Sequence, residues 1–252
     1  MTNDDMLDLF HARRGVICAV GAGGKKSTLY NLVARHPGRV ALTATVFTAR
    51  FPAHLGLTSA IAEESEFPAR AEAISQMDRI GFAAPSRKPG RYAGLSAEMV
   101  SRLHAGTRRD ATFVKADGAR RRWLKAPREG EPVLPAICST LICVCSAQAL
   151  GKPLSCEIAH RLERITALTE LQEGEVIEPQ HLARLMVSDS GMLKGSRGRT
   201  VVPVINMVDD AEREGLARQV AQIALMNTRR FDRVVLTSMR RIDQPVVAVV
   251  ER

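Results

Sequence analysis

Aromatic residues are scarce in this chain, with one tryptophan, two tyrosines and seven phenylalanines among 252 residues. Proteins that hold single-stranded nucleic acid stack its bases on exposed rings, and no RNA-binding signature accompanies these few, so nucleic acid is not expected as a partner. No apolar run reaches the roughly 20 residues that a membrane-spanning helix needs. The opening Met1-Thr2-Asn3-Asp4-Asp5 is acidic, unlike a secretion leader, so a cytoplasmic protein without a membrane is expected. There is no C-x-x-C pair and no close histidine pair beside the five cysteines. Cys18, Cys138, Cys143 and Cys145 lie in or beside apolar runs and read as buried thiols rather than metal ligands. Internal repeats and low-complexity tracts are also missing.

What remains is a chain that is 45% hydrophobic and long enough for one sizeable core. Strand-like runs fall at 15–20, 39–45, 79–84, 111–116, 140–145, 201–206, 233–237 and 246–250. Most are continuous Val, Ile, Leu, Ala and Cys, the pattern of parallel strands covered on both faces. Helical patterns occupy 3–13, 25–36, 68–77, 96–105 opening on Ser96, and 210–228. Residues 155–198 lack a strand signal and carry helix-like segments around 158–168 and 179–186. Arg87-Lys88-Pro89-Gly90-Arg91 reads as an exposed loop. The expected fold is α/β: one domain over 1–252, a mainly parallel sheet with helices on both faces, and a helical insertion at 155–198.

Gly21-Ala22-Gly23-Gly24-Lys25-Lys26-Ser27-Thr28 stands between the first strand and the helix carrying Leu29, Leu32 and Val33. Glycines let backbone N–H groups turn inward, and a helix start offers unpaired donors, so the segment is built to cradle a phosphate. The G-x-x-x-x-G-K-[ST] pattern is not met in full. With Lys26-Ser27 as its last pair, Val20 and Lys25 would stand at the glycine positions. The register with Gly24-Lys25 as the Gly-Lys pair is preferred, Lys25 then being the phosphate lysine, as in shorter G-x-x-G-K-[ST] loops of amide-forming ligases. Lys26 then sits where a hydroxyl should hold Mg²⁺, and would repel the ion by several kcal/mol even at an effective dielectric of about 20. Ser27 or Thr28 must substitute, or the metal is lost. The alternatives are a ligand-free glycine turn, or a dinucleotide fingerprint, which Lys26 and the lack of an acidic residue after the second strand count against.

Asp117 follows Thr112-Phe113-Val114-Lys115-Ala116 at the carboxyl end of a strand, the rim where open α/β sheets bind ligands. There it can serve Mg²⁺ in the Walker B role, with Gly118 allowing close approach of a phosphate, or it can simply cap a turn. Thr43 and Thr45 can add hydroxyls to that rim. Arg120, Arg121, Arg122, Lys125 and Arg128, interrupted by Trp123, form the densest basic cluster in a chain of net charge +9, which favours anionic partners. Leu124-Lys125-Ala126-Pro127, Pro132 and Pro135 make this an ordered loop. Lys125 and Arg120 are the expected contacts to phosphate or carboxylate groups, the other arginines being solvated. Glu131 either orients Lys125 or is a surface partner, and His160 and Arg161 open the insertion. Asn206 and Asp209 either meet a base edge or form a turn after a strand.

Taken together, the order Val20-Gly21-Ala22-Gly23-Gly24-Lys25, Leu42-Thr43-Ala44-Thr45, Ala116-Asp117-Gly118-Ala119-Arg120, Leu124-Lys125-Ala126-Pro127, Glu131-Pro132-Val133-Leu134-Pro135, Gly151-Lys152-Pro153-Leu154, His160-Arg161, Gly191-Met192-Leu193-Lys194-Gly195 and Asn206-Met207-Val208-Asp209 resembles the YqeC-like family. The resemblance implies a P-loop-NTPase-like fold and a nucleotide-dependent accessory role in maturing selenium-dependent molybdenum hydroxylases. The chain departs from the family pattern at Lys26, Lys115 and Met207, where a threonine, an acidic residue and a lysine are usual. The first two add attraction for phosphate while weakening a magnesium site.

These readings converge on an ATP- or GTP-binding protein. In the leading one, phosphoryl transfer, Lys25 and the loop amides hold the β- and γ-phosphates. Ser27 or Thr28 and Asp117 hold Mg²⁺, and Lys125 faces the developing charge. In the second, a nucleotide sensor or cofactor carrier binds without turnover and docks on a molybdenum hydroxylase or its maturation proteins. RNA binding through the arginine block is the third.

Overall fold

A computed structural model describes residues 3–252. In chain order the elements are α1 (Asn3–Leu9), β1 (Gly15–Gly21), α2 (Lys25–Arg35), β2 (Val40–Ala44), β3 (Thr48–Ala49), β4 (Thr58–Ile61), α3 (Phe67–Ser75), β5 (Arg79–Ala83), β6 (Arg91–Tyr92), α4 (Ala97–Gly106) and β7 (Ala111–Lys115). There follow β8 (Leu124–Lys125), β9 (Cys138–Ser146), β10 (Ala159–His160), α5 (Leu162–Thr169), α6 (Pro179–Val187), β11 (Thr200–Asn206), α7 (Ala211–Asn227), β12 (Arg233–Thr237) and β13 (Val246–Glu251). The chain divides into two compact units, one of residues up to Ala19, Leu29–Asp117 and Val133–Thr140, the other of Val20–Thr28, Gly118–Pro132 and Leu141–Arg252.

In the first unit the strand order is β1-β7-β2-β5-β4 and every neighbouring pair is parallel. Val16, Ile17, Cys18 and Ala19 of β1 and Ala111, Phe113 and Val114 of β7 are buried, which is why these strands read as unbroken apolar runs. The edge strand β4 was not legible, because its Thr58 and Ser59 are exposed and its apolar content is low. Short polar edges are how sheets avoid pairing with other chains. Ser96 caps α4 as expected, its Oγ accepting from Met99 N at 3.1 Å, while Glu64 accepts from the Ser96 hydroxyl at 2.7 Å. The helix expected over 3–13 stops at Leu9. His11 adopts φ 46° and Ala12 N returns to Leu7 O at 2.8 Å, a left-handed C-terminal turn without the usual glycine.

In the second unit the order is β9-β11-β12-β13, with β11 and β12 parallel and β13 antiparallel at the edge. The whole is therefore α/β with mainly parallel strands. Helix α7 opens on Asp210, whose Oδ1 accepts from Arg213 N at 2.9 Å, and buries Ala217, Val220, Ala221, Ala224 and Leu225. Helix α6 packs on α7 and on α5. Residues 155–198 hold two short helices, α5 and α6, separated and followed by turns, and the helix expected from 158 begins at Leu162. Ala159 and His160 instead form β10, which pairs in parallel with β8 in the register Ala159↔Leu124, His160↔Lys125. Two-residue strands like these arise from pairing across the fold, so propensity along the chain does not reveal them.

Candidate functional site: the glycine loop and the Lys125 cluster

Helix α2 begins at Lys25. Lys25 is 5% exposed and its Nζ donates to the carbonyl of Gly21, whereas Lys26 and Ser27 are exposed. Thr28 is buried, and its hydroxyl donates to Gly24 O at 3.2 Å within the helix. Ser27 is thus the better placed of the two hydroxyl candidates to meet a metal from solution. The loop glycines are required by the protein itself. Gly23 and Gly24 have φ of 78° and 133°, and a Cβ on them would strike Ser146 and the Nδ2 of Asn206. Ala22 N donates to Val144 O at 2.8 Å and Gly23 N to Arg122 O at 3.2 Å.

Asn206 ends β11 and is buried. Its Nδ2 donates to Gly23 O at 2.8 Å, and its Oδ1 accepts from Thr237 Oγ1 at 3.0 Å and Met239 N at 3.1 Å. Met207 turns the chain with φ 62°. Asp209 Oδ1 accepts from Ser238 Oγ at 2.6 Å and lies 3.2 Å from Arg240 Nε. Both polar side chains singled out for a base edge thus tie β11 to the segment after β12.

Lys125 is buried, with its Nζ 2.7 Å from Glu131 Oε2. Arg161 grips the same carboxylate with both terminal nitrogens, at 2.8 and 3.1 Å. Glu131 is therefore a buried orienting group rather than a surface partner. Burial pushes its carboxyl up, but hydrogen bonds from Arg161 and Lys125 and their charges outweigh this and hold it at about 2. The ring of His160 is held down at about 4, first by burial and then by the charges of Arg161, Lys125 and Arg120. Arg120, Arg121 and Arg128 are exposed.

The remaining candidates lie in the first unit. Asp117 is 2% exposed, just beyond β7. Thr43 Oγ1 donates to Phe82 O at 2.8 Å and Thr45 Oγ1 to Val133 O at 2.7 Å. Lys115 Nζ reaches the carbonyl of Phe47 at 2.9 Å. Among the described residues no group of three or more His, Cys, Asp and Glu side chains is arranged to hold a metal ion. Cys18, Cys138, Cys143 and Cys145 are buried and Cys156 is exposed; burial pushes the Cys145 thiol up to about 12, which keeps it protonated and unreactive.

A family model described as YqeC protein matches residues 17–163. The chain belongs to the YqeC family. It is 29% identical over 187 residues to the protein of Escherichia coli (strain K12) named "Uncharacterized protein YqeC", covering 72% of this chain and 71% of that one. No solved structure matches.

The YqeC match takes in the glycine loop, Asp117, Lys125, Glu131 and His160, and stops short of Asn206. Residues outside the sequence reading also shape the site. Ser146, at the end of β9, abuts Gly23, accepts from Gln148 N at 3.1 Å and donates to Met207 Sδ at 3.1 Å. Its position directly after the apolar run 140–145 was the available signal, because strand ends form the ligand-binding rim. Thr237 and Met239, which hold Asn206, had no signal along the chain.

Proposed function

We propose that this YqeC-family protein binds the phosphates of ATP or GTP at Gly21–Thr28, on a P-loop-NTPase-like fold, as an accessory factor in maturing selenium-dependent molybdenum hydroxylases. The observation that carries the reading is Lys25. A buried ammonium at the first position of a helix, folded onto the loop that precedes it, is placed to exchange a carbonyl partner for a phosphate oxygen. Because the amides of Ala22 and Gly23 serve Val144 and Arg122, the donors assigned to phosphate begin at Gly24 and continue into the first turn of α2. Mg²⁺, when bound, would screen phosphate charge. Ser27 is the proposed oxygen donor, with Lys125 facing charge that develops during phosphoryl transfer.

A second reading, a nucleotide sensor or cofactor carrier without turnover, is favoured by Lys26. It stands at the position where a hydroxyl normally meets the metal, and Thr28 spends its hydroxyl on Gly24. Calorimetry with ATP and GTP, with and without Mg²⁺, followed by phosphate release from the same samples, separates the two. Magnesium-dependent binding with release, abolished in Lys25→Ala and weakened in Ser27→Ala, is the expected result. Metal-independent binding without release establishes the carrier. Absence of binding to either nucleotide overturns the assignment of the loop.

A further inference from the structure

Val246, Val247, Ala248, Val249 and Val250 read the same in both directions around Ala248. They make up most of β13, which bonds to β12 on one side and, among the described residues, to no strand on the other. Val247, Ala248 and Val249 are half-buried and Glu251 is exposed. The exposed threonine and serine that keep the edge strand β4 polar have no counterpart here, since the run holds no proline and no charge before Glu251. An apolar edge of this kind attracts another strand.

The ladder fixes which backbone groups this edge offers. Arg252 N donates to Asp232 O at 3.1 Å, and Val250↔Val234 and Ala248↔Leu236 continue the same register. Bonded and non-bonded pairs alternate along an antiparallel ladder, so Arg252, Val250 and Ala248 turn their N–H and C=O toward β12, while Glu251, Val249 and Val247 turn theirs outward. The register shifts only beyond Ala248, where Thr237 faces Val246, a bulge confined to the start of the strand.

We infer that β13 is the joint of a two-fold dimer, pairing antiparallel with β13 of a second copy of this chain about Ala248. In that register Val247 lies opposite Val249 of the second copy, and their outward N–H and C=O groups satisfy one another. Ala248 meets itself at the axis in a non-hydrogen-bonded pair, where side chains approach most closely and a small one fits. A one-residue shift would set the outward groups against residues already bonded to β12. Glu251 comes opposite Pro245 of the second copy, beside the loop that carries exposed Arg240 and Arg241 and the 80% exposed Ile242. Each end of the joint thus brings a carboxylate to a basic and apolar loop.

The test is sedimentation velocity of the full chain over a concentration series, with Ala248→Lys and Ala248→Glu measured singly and as an equimolar mixture. A two-strand joint is a small interface, so a dimer dissociating in the micromolar range is expected. Each single variant opposes like charges at the axis and raises the dissociation constant about fivefold or more. The mixture restores the dimer, because lysine then meets glutamate. Val249→Lys, which charges a half-buried position off the axis, gives the same weakening where a variant at 248 fails to fold. A chain that stays monomeric to hundreds of micromolar, or a dimer indifferent to these substitutions, overturns the joint. Weakening by both Ala248 variants without recovery in the mixture overturns the pairing about Ala248.

Discussion

The amide nitrogen of Asn206 lies 2.8 Å from the carbonyl oxygen of Gly23, so the end of β11 sets the shape of a loop 183 residues earlier in the chain. The other end of the same amide accepts from Thr237 and Met239. Asn206→Ala removes these three buried hydrogen bonds and is expected to cost about 2–4 kcal/mol, read from urea unfolding. Asn206→Asp keeps the shape but points an acceptor at Gly23 O. It should lose nucleotide affinity more than alanine does, measured by calorimetry on the folded fraction.

Lys26 and Lys25 are neighbours with opposite surroundings, one exposed and one buried. Lys26→Thr is expected to change stability by less than about 0.5 kcal/mol, as surface substitutions do. It removes the charge at the proposed metal position and supplies a hydroxyl, so the Mg²⁺ concentration needed for half-maximal nucleotide binding should fall several-fold. No change in magnesium dependence would show that position 26 does not face the metal.

Acid should unfold the second unit in two stages. The His160 ring falls from an ordinary 6.5 to about 4, so its stabilising neutral form is complete above pH 6.5 and is lost as the pH drops through 4. Glu131 falls from 4.5 to about 2; its contribution, on the order of 3 kcal/mol, is complete above pH 4.5 and lost as pH falls toward 2. Urea midpoints measured from pH 8 to pH 3 should decline below 6.5. Glu131→Gln should flatten the lower part of the curve while lowering stability at neutral pH.

In the first unit Arg109 is 5% exposed, and its guanidinium donates to the carbonyls of Ile74, Met77 and Asp78 and to Thr107 Oγ1. It closes the carboxyl end of α3. Arg109→Met removes these bonds, although Met77 N still reaches Ile74 O and Val40 N still reaches Asp78 O, and should cost about 2 kcal/mol, with Arg109→Lys recovering only part. Circular dichroism during urea unfolding reads both.

Much of this fold was legible because its buried strands are continuous apolar runs. β1, β7, β9, β11 and β12 lie within a residue or two of where Val, Ile, Leu and Cys cluster in the chain. The strands that were not legible, β3, β4, β6, β8 and β10, are short or polar and exist through their partners. At the site, Gly21–Thr28 and Lys125 announced themselves by residue type. What holds them did not: Ser146 behind Gly23, Thr237 and Met239 on Asn206, and the two-pronged Arg161 grip on Glu131 are tertiary facts, and no spacing along the chain encodes them.

The carbonyl that receives the Gly23 amide belongs to Arg122, the residue immediately before Trp123, the only tryptophan in the chain. The amide of Trp123 in turn donates to Ile158 O at 2.8 Å. A ligand held at Gly24 and the first turn of α2 binds one residue beyond this bonded amide, and the backbone that carries Trp123 lies at the other end of that bond. The protein therefore carries its own optical reporter, and its intrinsic fluorescence can follow occupancy of the loop without a label.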